Sequence, residues 1–207
     1  MIERTCRNNR EKSVYVLLTD TGTWFTTMIK RFTSAPYNHA SLVFDAGLEE
    51  VYSFGRKKAT NPFSGGFVEE DVYTGTFSQF PDTRCMLLRL RLTQDQHEGA
   101  RRVVETFKEQ REQYSYNLRG LFGVLLGRGM GSDKSYFCSQ FVAEALRAAG
   151  LALWDRPSSL VTPDHFRKHA AFEIVYEGRL YDYPLLDSGR LPCEIDADAE
   201  PAMEWAV

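Results

Sequence analysis

The chain has 207 residues, 43% of them hydrophobic and 26% charged, with 25 Lys and Arg against 28 Asp and Glu for a net charge of −3. That is enough for one ordinary core, and it excludes the broad basic excess on which nucleic-acid binding depends. The four cysteines (Cys6, Cys85, Cys138, Cys193) and four histidines (His39, His97, His165, His169) include no CxxC pair and are too sparse for a disulfide scaffold, so neither a metal nor a cofactor is expected.

Residues 1–12 are polar and charged, without the apolar stretch of a secretory signal. No segment approaches the roughly 20 apolar residues of a membrane span. The expectation is a soluble, cytoplasmic protein with reduced cysteines and no integral membrane anchor. Residues 1–12 form an extension, 13–186 a single domain, and 187–207 a tail. That tail holds six acidic residues against Arg190, a net of −5, and its composition predicts a loose extension.

In chain order, Ser13 to Thr19 reads as a buried strand. An amphipathic helix follows over 23–32, with Trp24, Phe25, Met28, Ile29 and Phe32 on one face. Two short strands fit 39–44 and 50–54, joined at Gly47. Pro62 and the Gly65-Gly66 pair interrupt any period between 61 and 71, which predicts a loop. A strand fits 85–92, and a charged helix fits 94–113, burying Val103, Val104 and Phe107. A short helix fits 118–126, before the glycine-rich stretch 127–131.

The strongest helix runs from about Tyr136 to Gly150, its apolar positions Phe141, Val142, Ala145, Leu146 and Ala149 recurring on one face. Thr162-Pro163-Asp164 is a helix start, with a capping side chain, proline at the first position and an acid favoured by the dipole. One or two strands fit 172–183. Strands and helices mix without regular βαβ alternation, so the expected class is α+β.

Two residues stand out chemically. Cys138 falls in the first turn of the strongest helix, with Ser135 as the expected N-cap, where free N–H groups and the helix dipole favour a thiolate. It also lies beside the apolar stripe, where a small buried thiol packs well, and position alone leaves both readings open. His39 opens a short apolar strand at a sheet edge and is the candidate base; a half-buried histidine bonded to a loop is the alternative. His97 sits on a charged helix, and His169 lies near a helix C-terminus that accounts for it electrostatically. Gly127 to Gly131 follows no strand and opens no helix as a dinucleotide loop would.

Taken together, YNHASLVFD around His39 and SYFCSQFVAEAL around Cys138, with EEVYSFGRKKATNPFSGGFVEED between them and SSLVTPDHF and VYEGRLYDY after them, resemble the permuted NlpC-like papain-fold cysteine amidases. In that group the histidine precedes the cysteine, as it does here, and the likeness spans about 13–183. The resemblance implies a circularly permuted papain-like fold, an antiparallel sheet packed against the cysteine's helix. It also implies an acyl-enzyme mechanism, with Cys138 as nucleophile and His39 as proton carrier.

Such enzymes usually place a polar residue on the next strand to orient the imidazole. Ser53 aligns best there, which leaves a dyad with a neutral orienter, while Glu49 and Glu50 read as solvated. Tyr37, Tyr114 and Tyr116 are candidates to line the substrate. The implied substrate is an amide- or acyl-containing small molecule or peptide. The alternatives are an acyltransferase or thioesterase of the lecithin retinol acyltransferase type and a catalytically silent binding module, the latter favoured by the missing carboxylate at Ser53.

Overall fold

The computed structural model describes residues 11–22, 35–56, 65–110, 115–116 and 135–191. It is an α+β structure built on one six-stranded antiparallel sheet. The strands are β1 (Lys12–Asp20), β2 (His39–Val43), β3 (Val51–Arg56), β4 (Gly65–Glu70), β5 (Arg84–Leu92) and β8 (Glu173–Arg179), in the spatial order β4-β3-β2-β1-β5-β8. Two short segments, β6 (Ser115–Tyr116) and β7 (Ser135–Tyr136), pair in parallel. The helices are α1 (Gly75–Ser78), α2 (Gln94–Glu109), α3 (Cys138–Ala148) and α4 (Pro163–Lys168). None is long and apolar enough to cross a membrane.

Because side chains alternate along a strand, β1, β2, β3 and β5 each contribute to two cores. One face of the sheet carries Val14, Val16, Leu18, Leu42, Tyr52, Phe54, Phe67, Met86 and Leu88, and packs with residues of α2 and α3 such as Val104, Phe107, Phe141 and Leu146. The other carries Leu17, Val43, Val51, Cys85 and Leu87, covered by Leu48, Val72, Tyr73 and Phe77 and by Leu180 and Tyr183 from the C-terminal part. This explains why β1, central in the sheet, is buried along most of its length rather than alternately.

Local chemistry sets the helix ends. Thr93 caps α2 in a reciprocal capping box with Gln96, and Thr162 caps α4, where Pro163 occupies the first turn. Helix α3 stops at Gly150, whose φ of +86° suits a residue without a Cβ. Helices α2 and α3 approach closely at Gly99, where a Cβ would stand 3.1 Å from the Cα of Ala149.

Two expectations are corrected. The segment expected as a loop over 61–71 contains β4, which pairs residue for residue with β3 from Arg56↔Gly65 to Val51↔Glu70. Its glycines lie inside the ladder, opposite Arg56 and Gly55, rather than in a turn. The N-cap of α3 is Phe137, not Ser135, because Ser135 and Tyr136 are taken up by β7; Cys138 is therefore the first helical residue.

The helices expected over 23–32 and 118–126, the stretch 127–131 and residues 192–207 lie outside the described residues. The tail expected to be loose from Asp187 is held against the domain through Leu191. The Asp187 N–H donates to the Tyr73 hydroxyl at 2.9 Å, and Arg190 bonds both carboxylate oxygens of Glu49 while lying 3.9 Å from the Tyr73 ring centroid.

Candidate active site

Strand β2 pairs with β3 only at Leu42↔Tyr52 and Val43↔Val51, although β3 runs on to Arg56. Phe44 donates its N–H to Glu50 on the β3 side, and N–H directions alternate along a strand, so the Ala40 N–H points to the same side. There it lies beyond the ladder. It faces the Cys138 sulfur and, with the Ser139 N–H at the start of α3, favours the thiolate form. The sheet thus opens beside the N-terminus of the helix that brings the cysteine.

Cys138 is buried and next to His39. Burial pushes its pKa up, but the His39 charge and hydrogen bond, with the two backbone N–H groups, outweigh burial and lower it. For His39 the opposing effects have the reverse sign. Burial depresses the imidazole, while the Glu70 carboxylate and then Cys138 raise it well above its ordinary value. The pair therefore favours a thiolate facing an imidazolium. Cys85 is the contrasting case among the described residues. Burial, reinforced by Glu177, pushes its thiol up to about 12, which leaves it protonated and inert.

The group against the imidazole is Glu70, not Ser53. Glu70 Oε1 lies 3.0 Å from His39 Nε2, and Oε2 accepts the Ser41 hydroxyl at 2.5 Å. This leaves Nδ1 of His39 for the thiol. Glu70 is itself held ionised: burial raises its pKa, but His39 and the serine hydroxyls bring it below the usual carboxylate value. Side-chain exposures of 22% for His39 and 15% for Glu70 keep the pair reachable from solvent.

Strand β3 lies between the two partners. The registers Tyr15↔Val43, Val43↔Val51 and Val51↔Glu70 put His39, Ser41, Ser53, Gly55 and Glu70 on one face. Glu70 reaches from β4 across β3 to β2, passing over the small residues Ser53 and Gly55. A Cβ at position 55 would already stand 3.8 Å from His39 Cε1. Ser53 is fully buried here. Its hydroxyl helps keep Glu70 ionised, yet falls short of a well-formed hydrogen bond.

Of the tyrosines expected at the substrate, Tyr37 is only 7% exposed. Its hydroxyl donates to Glu177 at 2.9 Å and lies 3.4 Å from the Cys85 carbonyl oxygen, so it ties the entry of β2 to the far side of the sheet. Tyr116 lies in β6, whose backbone packs beside β4, and Tyr114 lies outside the described residues.

The remaining histidines have structural partners: His97 meets Phe44 edge-on, His165 completes the α4 cap, and His169 Nε2 donates to the Leu153 carbonyl at 2.8 Å. Glu49 and Glu50 bind Arg190 and Arg101 at 2.7 Å each. Glu70 was missed because Pro62 and two glycines mark its segment as a loop. No apolar–polar alternation in Phe67-Val68-Glu69-Glu70 marks the strand; it is the pairing with β3 that sends the two glutamates to opposite faces. Glu69 binds Lys108 of α2 at 3.0 Å, on the helix side.

Among the described residues, no group of His, Cys, Asp and Glu forms a metal site. A groove of about 500 Å³ runs beside α3, lined by Gln140, Glu144, Arg147, Asp155, Arg156 and Pro157 among others; neither Cys138 nor His39 contributes to its wall. No protein-family model matches the chain, and no curated protein matches it.

Proposed function

We propose that the protein is a thiol hydrolase of the permuted papain-like type, cleaving an amide through an acyl-enzyme on Cys138. The single observation that carries this reading is a buried cysteine at a helix N-terminus, coupled to a histidine whose other ring nitrogen meets a carboxylate at 3.0 Å. Nucleophile, proton carrier and orienting acid stand in sequence, as the chemistry requires.

The Cys138 thiolate would attack the substrate carbonyl carbon, and the C=O electron pair would move onto the oxygen. The Cys138 N–H, first in α3 and without an intrahelical acceptor, is placed to donate to that oxyanion. Collapse of the intermediate expels the amine, which takes the proton from imidazolium His39. A water then gives its proton to His39 and attacks the thioester, releasing the acid and regenerating the thiolate–imidazolium pair. Glu70 holds the imidazole in the tautomer this cycle needs and offsets its positive charge.

The silent-module reading drew on a missing carboxylate, and Glu70 supplies one. The acyltransferase reading shares every residue and differs only in the final acceptor. The test is alkylation by iodoacetamide near neutral pH. Cys138 should react faster than Cys85, and His39→Ala should slow it at least tenfold. Equal labelling of both cysteines, or indifference to His39→Ala, would overturn the reading. With a trapped acyl-enzyme, resolution by water alone excludes transfer as the main activity.

A further inference from the structure

The Glu70–His39 contact raises a question of geometry, because a glutamate is a poor orienter on its own. Its side chain has three rotatable bonds, and the last, between sp³ and sp² carbons, is soft. Here the side chain also reaches across β3, from a backbone position opposite Val51 to a histidine on β2. A single contact at Oε1 leaves the carboxylate free to rotate about that bond and to present either oxygen, or neither, to Nε2.

A second contact removes this freedom. Ser41 lies two residues after His39 on β2, so both side chains leave the same face of the strand. Its Oγ donates to Glu70 Oε2 at 2.5 Å, at the short end of the range for a hydroxyl on an ionised carboxylate. Ser41 is fully buried, so no solvent exchanges for this bond. An ionised carboxylate only accepts, which fixes the direction of the Ser41 hydrogen. With Oε2 held by Ser41, Oε1 is turned onto His39 Nε2, and the same donation keeps Glu70 charged despite its burial.

We propose that Ser41 is a positioning residue of the site, acting on His39 through Glu70; this rests on the thiol-hydrolase reading above. His39, Ser41 and Glu70 form one unit in which the strand residue at i+2 from the base fixes the acid that orients the base. Ser53, the residue that the family resemblance puts forward for this role, contributes only a loosely placed hydroxyl beneath the unit.

The experiment uses the full chain with Ser41→Ala, Glu70→Gln and the double variant. It reads the His39 titration by NMR and the pH dependence of Cys138 alkylation between about pH 6 and 8. Ser41→Ala should lower the His39 pKa and slow alkylation at neutral pH about fivefold to tenfold, less than the full loss of one hydrogen bond to a charged group because the effect reaches His39 only through Glu70. In the Glu70→Gln background, Ser41→Ala should add nothing, because its route to His39 is already cut. Ser41→Thr, which keeps the hydroxyl, should restore most of the wild-type titration.

Unchanged titration in Ser41→Ala, or an equal shift in both backgrounds, overturns the proposal. Failure of the hydrolase reading is separately visible: His39→Ala then leaves Cys138 alkylation unchanged, while the His39 titration still reports the Ser41–Glu70 link.

Discussion

Replacing Glu70 with glutamine tests whether the carboxylate, rather than mere side-chain bulk, sets the chemistry of the site. The substitution is nearly isosteric and leaves Ser41 a partner, but it removes the charge 3.0 Å from His39 Nε2. A hydrogen bond to a charged group contributes about 1.5–3 kcal/mol. With His39 and Glu70 only 22% and 15% exposed, solvent screening is modest, and about 2 kcal/mol is a reasonable working figure. The His39 pKa should fall accordingly, because the Glu70 charge is the largest of the effects that raise it.

A less basic imidazole is less often protonated, so the Cys138 thiolate loses its counter-charge and the thiol's pKa rises. The sign is therefore definite for both groups: His39 moves down toward its ordinary value and Cys138 moves up toward its own. Alkylation by iodoacetamide, followed against pH, should show its acid limb displaced to higher pH, with a rate at neutral pH lower by at least tenfold. The control is Glu69→Gln. It removes the same charge one residue away, but on the opposite face, where Glu69 meets Lys108 at 3.0 Å. Equal profiles for the two variants, or a wild-type profile for folded Glu70→Gln, would refute the assignment of Glu70.

The crossing over β3 makes its own demand on residue size. At Gly55 a Cβ would sit 3.5 Å from Ser53 Oγ, 3.6 Å from Val68 Cγ2 and 3.8 Å from His39 Cε1, all ordinary contacts, so Gly55→Ala should keep wild-type Cys138 reactivity. Gly55→Val projects methyl groups about 1.5 Å further and should displace the imidazole and slow alkylation at least tenfold; a fully reactive, folded Gly55→Val would show that the floor beneath the pair is not tight. On the helix side, Phe54 is fully buried, with Phe107 and Phe141 rings both at 5.5 Å. Phe54→Ala should cost about 3–5 kcal/mol, lowering Tm by about 10 °C in a thermal melt, and a shift below 3 °C would contradict the packing described.

What the sequence reveals and what it hides follow the range of the interactions involved. The strands at 39–43 and 84–92 and helix α2 were readable from apolar period and capping residues, which act over a few positions. So was the placing of Cys138 at a helix start, although the cap is Phe137 because β7 claims Ser135. β4 was not readable. Its glycines and the preceding Pro62 are local loop signals, and only pairing with β3 across six residues overrides them. With β4 missed, Glu70 had no strand to stand on, and Ser53 was the nearest polar residue. The partners of Tyr37 are out of reach of local pattern for a similar reason: Glu177 and the Cys85 carbonyl are 140 and 48 residues away.

The two glutamates at the end of β4 show how the fold decides the chemistry. A slip of one residue between β3 and β4 would exchange their faces, leaving Glu69 toward His39 and Glu70 toward Lys108, or neither in reach. The backbone ladder alone does not forbid this, since every register satisfies hydrogen bonds. The aromatic cluster does. Phe54 and Phe67 are directly paired across the two strands and meet Phe107 of α2 and Phe141 of α3, with ring centroids 5.2 to 6.0 Å apart. A slip would turn Phe67 out of that cluster and into the face that holds Ser53 and Gly55, where there is no room for it. Phe141 lies one turn after Cys138 on α3, so the contacts that fix the glutamate's face also seat the cysteine's helix. Nucleophile and orienting acid are 68 positions apart in sequence and share one packing constraint, on the opposite side of the sheet from the Glu70–His39 contact.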